Sequence, residues 1–225
     1  MFEQKALQHH IQKFIIGVLI HDKYARFSQL RPPKTDTNLF SYHLKVLIKE
    51  KWIDKTSDGY TLSKNGLMYV DRVSIEKLNI RSQPKIITML LVQNSEGDVL
   101  VQQRTKQPYI NTWTLPYGKT RLEDYSIEIS ARRESTEKLN YSPKTIRHAG
   151  DAYIRVKTDG ELLSNTLVHI FRFETNDITE TESIKWVQPL KLLRLNLAPA
   201  VEDIVSRSFF GDEHFFAEFS HNWVY

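Results

Sequence analysis

The chain has 225 residues, 40% of them hydrophobic and 26% charged, and carries a formal net charge of +4. That composition belongs to a water-soluble globular protein, and the length suits two small domains better than one. The absence of cysteine excludes disulfides, thiolate metal sites and a cysteine nucleophile. The charge is uneven: residues 1–83 hold 14 Lys/Arg against 8 Asp/Glu, whereas residues 84–225 hold 17 against 19. A basic front third points to a polyanionic partner there and a different task behind it.

In chain order, Leu7, Ile11, Phe14, Ile15, Val18 and Leu19 recur at helical spacing and predict a first helix. Its apolar run Phe14–Ile20 is too short for a bilayer and has no small-residue cleavage site, so a cytoplasmic protein without a membrane partner is expected. A short helix is predicted over Arg26–Leu30. Pro32 and Pro33 then break the chain. Thr35, Asp36 or Thr37 can cap a third helix running to about Lys51. Asp58-Gly59 between Trp52–Lys55 and Tyr60–Leu62 predicts a hairpin, and Ser63 caps a last helix through Val70. Pro84 ends this pattern, which sets the domains at residues 1–82 and 84–225.

Beyond the boundary, strands are expected over Lys85–Val92, Val99–Gln103, Ala152–Lys157 and Thr166–Phe173. Helices are expected over Tyr125–Leu139 and Ala200–Arg207. Seven aromatics crowd the segment Phe209–Tyr225, which must either dock back on the core or form a dimer interface.

Helix, helix, break, helix, hairpin, helix is the order of a winged helix-turn-helix. The stretch Asn38–Ile53, with its Ser41-Tyr42-His43-Leu44 core, resembles the recognition helix of ArsR-type repressors. Phe40, Leu44 and Leu47 form an inward face, while Asn38, Ser41, Tyr42, Lys45 and Lys49 face outward. Those side chains suit double-stranded DNA: Asn reads adenine, Ser and Tyr reach phosphates, and Lys takes a phosphate or guanine. Lys55 and Lys64 flank the wing, and His43 is expected to pack rather than to bind a ligand. Winged helices also serve as dimerisation or docking modules, so protein binding stands as the alternative.

The rear segment resembles the Nudix family. The match starts at Trp113-Thr114-Leu115-Pro116-Tyr117-Gly118-Lys119 and continues through Ser126–Tyr141 to the strand-like Ile184–Val187. It implies an α/β fold with a mixed sheet sandwiched by helices, and the box Gly-x5-Glu-x7-Arg-Glu-U-x-Glu-Glu-x-Gly-U, where U is aliphatic. In that family clustered acids hold Mg²⁺, which activates water at a diphosphate.

Aligned on Arg133-Glu134, the catalytic residues Arg133, Glu134 and Glu137 match, with Glu134 and Glu137 as the metal ligands. Tyr125 falls on the first box acid, Lys138 on the last, Asn140 on the box glycine, and Tyr117 on the first lead-in glycine. Lys138 cannot ligate Mg²⁺ and repels it; Glu123 and Asp124 in the lengthened loop are the replacements available. Gly118, Lys119, Arg121 and Lys138, with Arg133 nearby, could instead grip a nucleotide-like diphosphate, or be ordinary surface residues.

Two functions follow. One is a ligand-responsive transcriptional regulator, similar to known Nudix-related regulators, acting as a homodimer with a degenerate Nudix domain as sensor. The other is an active Mg²⁺-dependent Nudix pyrophosphohydrolase of a nucleoside diphosphate derivative, with the winged helix as accessory.

Overall fold

The computed structural model describes residues 7, 9–71, 83–209 and 214–224. Most of the boundary segment before Gln83, together with Phe210 and Tyr225, lies outside the described residues. The chain divides into two compact units, Met1–Ser82 and Gln83–Tyr225. Among the described residues no helix is long and apolar enough to cross a membrane.

The first unit comprises α1 (His10–His21), α2 (Phe27–Leu30), α3 (Thr37–Lys49), β1 (Ile53–Thr56), β2 (Gly59–Leu62) and α4 (Lys64–Val70). Local chemistry accounts for its helix starts. The Asp36 side chain accepts the amides of Asn38 and Leu39, and Ser63 accepts that of Gly66. The antiparallel β1–β2 pair turns at Thr56–Gly59. Ile11, Ile15, Ile16 and Leu19 of α1 and Phe40, Leu44 and Leu47 of α3 form one buried core with Trp52, Ile53 and Tyr69. Phe14, placed inward by periodicity, is instead partly exposed, and Ile16 takes its place.

The second unit is a mixed eight-stranded sheet. Its strands are β3 (Lys85–Gln93), β4 (Val99–Gln103), β5 (Trp113–Thr114), β6 (Tyr117–Lys119), β7 (Arg147–Thr158), β8 (Glu161–Glu174), β9 (Ile184–Val187) and β10 (Phe215–Asn222). The order is β10-β7-β8-β3-β4-β5, with β6 on β3 and β9 on β4. Pairs β10–β7 and β3–β8 are parallel; the rest are antiparallel. Alternation along the strands splits the core by face. Ile87, Met89 and Leu91 join Val201, Ile204 and Val205 of α6 (Val201–Phe209) on one side. Leu90 and Val92 join Ala131 and Leu139 of α5 (Ile127–Leu139) on the other.

Three expectations change. The helix predicted from Tyr125 starts at Ile127, because Ser126 caps it through the Ile129 amide. The strands around Asp159-Gly160 are longer than predicted, since they pair with each other almost to the turn. The aromatic tail docks on its own unit as β10: Phe215, Phe219 and Trp223 pack on the core, and Phe216 is exposed.

Candidate functional site

The Nudix-like box lies where β6 passes under α5. Gly118 faces the helix, and a Cβ there would stand 1.7 Å from the Glu134 carboxyl carbon. Any larger residue would displace that acid, so Gly118 is the floor on which Glu134 sits. Glu134 is only 4% exposed. Buried carboxylates require partners, and Arg133 supplies one through Nη1. At the far end of α5, Asn140 adopts the left-handed conformation at φ 50°, which asparagine tolerates better than most residues. The substituted box glycine therefore keeps its backbone role.

Arg133 organises the cluster. Its Nε and Nη2 donate to Asp124 Oδ1 and Oδ2 at 3.0 and 2.8 Å, a two-pronged fork. Nη2 also donates to the Lys119 carbonyl at 3.1 Å and to Ser130 at 3.2 Å. The Arg133 fork holds the Asp124 carboxyl well below the ordinary carboxylate range, against the opposing effect of burial. This corrects the alignment that put Tyr125 at the first box acid. Tyr125 is 96% exposed and outside the helix, while Asp124 meets Arg133. The additional loop residue lies after Asp124 and is absorbed before the helix begins. Glu123 is exposed.

The other acids are also taken. Glu137 Oε2 accepts from Arg121 Nη2 at 2.7 Å and from Arg133 Nη1 at 3.4 Å. Lys138 Nζ stands 3.9 Å from Glu134 Oε2 and 5.0 Å from the Tyr117 ring centre. Burial pushes the Lys138 ammonium down, with Glu134 pulling the other way. Three carboxylates thus meet three cations, and the formal balance of the cluster is zero. Mg²⁺ binding rests on uncommitted, negatively charged oxygens. The residues present do not fit that ion. Arg121, expected to bind a ligand, is spent on Glu137.

A cleft of about 240 Å³ opens on the opposite side of β6. Register explains its chemistry. Ile87 pairs with Lys119 across β3 and β6, so Lys85 and Lys119 reach the same rim. Arg104 joins them, its guanidinium held by the Pro108 carbonyl at 2.6 Å and lying over Tyr117 and Tyr109. Burial pushes the Lys85 ammonium down, and Lys119 and Arg104 push the same way. Three cations beside two aromatic rings have the chemistry to receive an anion carrying a planar group. Lys138 lines an adjoining groove with Arg104, Lys106 and Tyr117. Of the residues lining these clefts, Lys119 and Lys138 were expected from the sequence, whereas Lys85, Arg104 and Tyr109 were not. The signal was the alternation in Lys85-Ile86-Ile87, which needed its partner strand to be read.

In the first unit, Asn38, Tyr42, Lys45 and Lys49 are exposed on α3, and Ser41 is half-buried. Tyr42 stands 63% exposed although its ring could cover apolar surface. Phe40, His43, Leu44 and Leu47 face inward. His43 stacks on His9 at 3.7 Å, and its Nδ1 has no hydrogen-bond partner among the described residues. Burial, then His9 and His10, push its imidazole below the ordinary value. Lys55 and Lys64 are exposed beside the hairpin.

A mixed sheet with a helix on each face and an Arg-Glu-x-x-Glu cluster against a glycine strand defines an α/β sandwich. Residues 83–207 match the NUDIX domain, and the chain belongs to that family. No curated protein matches its sequence. Among solved structures, one similar fold is the NUDIX domain of Shewanella oneidensis NrtR complexed with ADP ribose. It is 16% identical, covers 64% of this chain and 96% of that one, and has a TM-score of 0.50. Another is the mutator MutT protein of Bacillus halodurans, 19% identical over 60% of this chain and 89% of that one, with a TM-score of 0.51. Both likenesses concern the fold.

Proposed function

We propose that the protein is a ligand-responsive DNA-binding regulator, with residues 1–82 as a winged helix-turn-helix and the NUDIX domain as the sensor of a nucleotide-like diphosphate. The observation that carries the DNA reading is the outer face of α3. It presents Asn38, Tyr42, Lys45 and Lys49 to solvent, opposite an inner face of Phe40, His43, Leu44 and Leu47. Among the described residues, the Tyr42 ring makes an edge contact with His43 and stays 63% exposed. Phosphate contacts from Lys and Tyr, with base reading by Asn38 and Lys45, suit that surface. A homodimer follows from the two half-sites such modules read.

The sensing reading draws on charge. The α5 acids are neutralised by Arg121, Arg133 and Lys138, while the neighbouring cleft offers Lys85 and Lys119, which pair with no carboxylate among the described residues. That arrangement binds diphosphate oxygens and lacks the means to place an attacking water through a metal. ADP ribose, found with the similarly folded NrtR domain, is a diphosphate of the right chemical class. The alternative, an active hydrolase, gains from Asp124 taking up Arg133, which keeps the box geometry intact. It loses to Lys138.

The test is fluorescence anisotropy on duplexes selected from a randomised pool, with and without ADP ribose, across a salt series. Affinity should fall steeply with salt through counterion release. Lys45→Ala should cost about 1–3 kcal/mol if it reads a base. ADP ribose should shift the affinity. Duplex binding untouched by both Lys45→Ala and Lys49→Ala would remove α3 as the reader.

A further inference from the structure

The sheet of the second unit carries a histidine cluster that neither the cleft nor the α5 face uses. His148 and Asp151 lie on β7, His169 lies on β8, and His214 immediately precedes β10. His169 Nδ1 stands 2.6 Å from Asp151 Oδ1, and His148 Nε2 stands 2.9 Å from the same oxygen. His214 Nε2 stands 3.4 Å from Asp151 Oδ2. The nearest ligand atoms of His148, Asp151 and His169 all lie within 4.8 Å of one another.

Two local features bring these residues together. Side chains three apart on a regular strand point to opposite faces. The register slips between His148 and Gly150, and the additional residue returns His148 to the face of Asp151. Asp151 is paired with His169 directly across the strands. The second feature is Gly150. A Cβ there would stand 2.6 Å from the Phe215 carbonyl oxygen, so glycine is what lets β10 close on β7. Phe215 pairs with Gly150, which sets His214 beside the carboxylate. The His148 ring is steadied by stacking on Phe171 at 4.9 Å.

Two imidazole nitrogens and one carboxylate oxygen, from β7 and β8, thus lie close together, and His214 approaches the second oxygen of that carboxylate from the start of β10. A tetrahedral shell with bonds of about 2.0–2.1 Å has ligand-to-ligand separations of roughly 3.3–3.4 Å. The His169 and His148 contacts to Asp151, at 2.6 and 2.9 Å, are shorter than that and must open to admit an ion. Imidazole-rich sets favour Zn²⁺, Cu²⁺ and Ni²⁺ over Mg²⁺ and Ca²⁺, which take oxygen. His169 and Asp151 are mostly buried and His148 and His214 more open, so an ion has a route in from solvent.

We propose that His148, Asp151, His169 and His214 form a binding site for a divalent transition-metal ion of the Zn²⁺ class, separate from the α5 carboxylates. The ion ties β10 to β7 and β8, and so fixes the C-terminal strand at the sheet edge.

The experiment uses the full untagged chain, stripped with a chelator and titrated with Co²⁺ as the probe. Expected are one bound Co²⁺ per chain, a visible absorption band of four-coordinate type, and loss of that band when Zn²⁺ is added. His169→Ala should weaken binding by at least about 100-fold, since even residues that only support a ligand change affinity 10- to 100-fold. His214 is exposed and stands outside the core, so His214→Ala is the variant expected to fold; it should weaken binding and alter the band. Glu134→Gln should change neither. Absence of the band in the unmodified chain would overturn the proposal. So would a band that survives both histidine variants, or one that follows Glu134 instead.

Discussion

Lys138→Glu is the substitution that most directly probes the altered box. In the native cluster the Lys138 ammonium lies 3.9 Å from Glu134, whose side chain is 5% exposed against 30% for the lysine. At an effective dielectric of about 20, that separation corresponds to an attraction of roughly 4 kcal/mol. Solvent reaching the lysine reduces it to about 1–2 kcal/mol. The glutamate removes the attraction and adds a repulsion of similar size, so the variant should lose about 2–4 kcal/mol in chelator. For a unit of this size that is roughly 5–15 °C in Tm. The cluster now carries a net charge of −2, and a dication becomes its natural counterion. Thermal unfolding with and without millimolar Mg²⁺ reads the outcome. The variant should regain most of its lost Tm by mass action, a gain of about 2.7 kcal/mol at a hundredfold excess over Kd. The unmodified protein should hardly move. An equal Mg²⁺ response from the unmodified protein would refute the reasoning, because the acids would then hold the ion despite Lys138. No response from either would show that Lys138 is not the obstacle. Turnover of dinucleotides or nucleotide sugars by the unmodified chain in the ordinary enzyme range of about 1–10³ per second would overturn the sensor reading as well.

Gly118→Ala should destabilise the second unit by about 1–3 kcal/mol, since its Cβ must push the Glu134 carboxyl from 1.7 Å to a normal contact; chemical denaturation reads this directly. Asp124→Asn keeps the shape but loses the charged fork on Arg133, and should cost about 1.5–3 kcal/mol at neutral pH. Because the folded Asp124 is held below its ordinary value, its contribution is complete above about pH 4 and is lost as pH falls through the folded value. The variant's acid unfolding limb should therefore be flatter than the native one. His43, held below its ordinary imidazole value, resists protonation in the fold, so the unfolded chain gains protons first as pH falls below about 6.5. The first unit should lose stability from there downward until the folded value is passed. His43→Gln should remove that slope in a Tm-versus-pH series on the full chain.

Much of the architecture was legible locally. Ser63 announces α4, Asp58-Gly59 announces the hairpin, and Asp36 before an apolar periodic run announces α3, because caps and turns satisfy backbone groups within a few residues. Arg133, Glu134 and Glu137 were recognisable through the resemblance of Ser126–Tyr141 to the Nudix box, and helix spacing brings Glu134 and Glu137, three apart, to one side. Asn140 shows the same logic: a residue able to enter the left-handed region stands where the helix ends.

Tertiary structure decided what spacing cannot express. Counting along the chain put Tyr125 at the first box acid, but the loop before α5 is not periodic, and its length does not fix which side chain turns inward. The fork to Arg133 chose Asp124. Lys85, Arg104 and Lys119 form one cationic rim only because β3 pairs with β6 in a particular register. His148, Asp151, His169 and His214 are 66 residues apart from first to last, and they meet because a bulge turns one strand and Gly150 admits another. Helix periods and caps are short-range and can be read from neighbours in sequence. Strand register, bulges and loop folding are settled by partners far along the chain, and the chemistry of these sites is made by those partners.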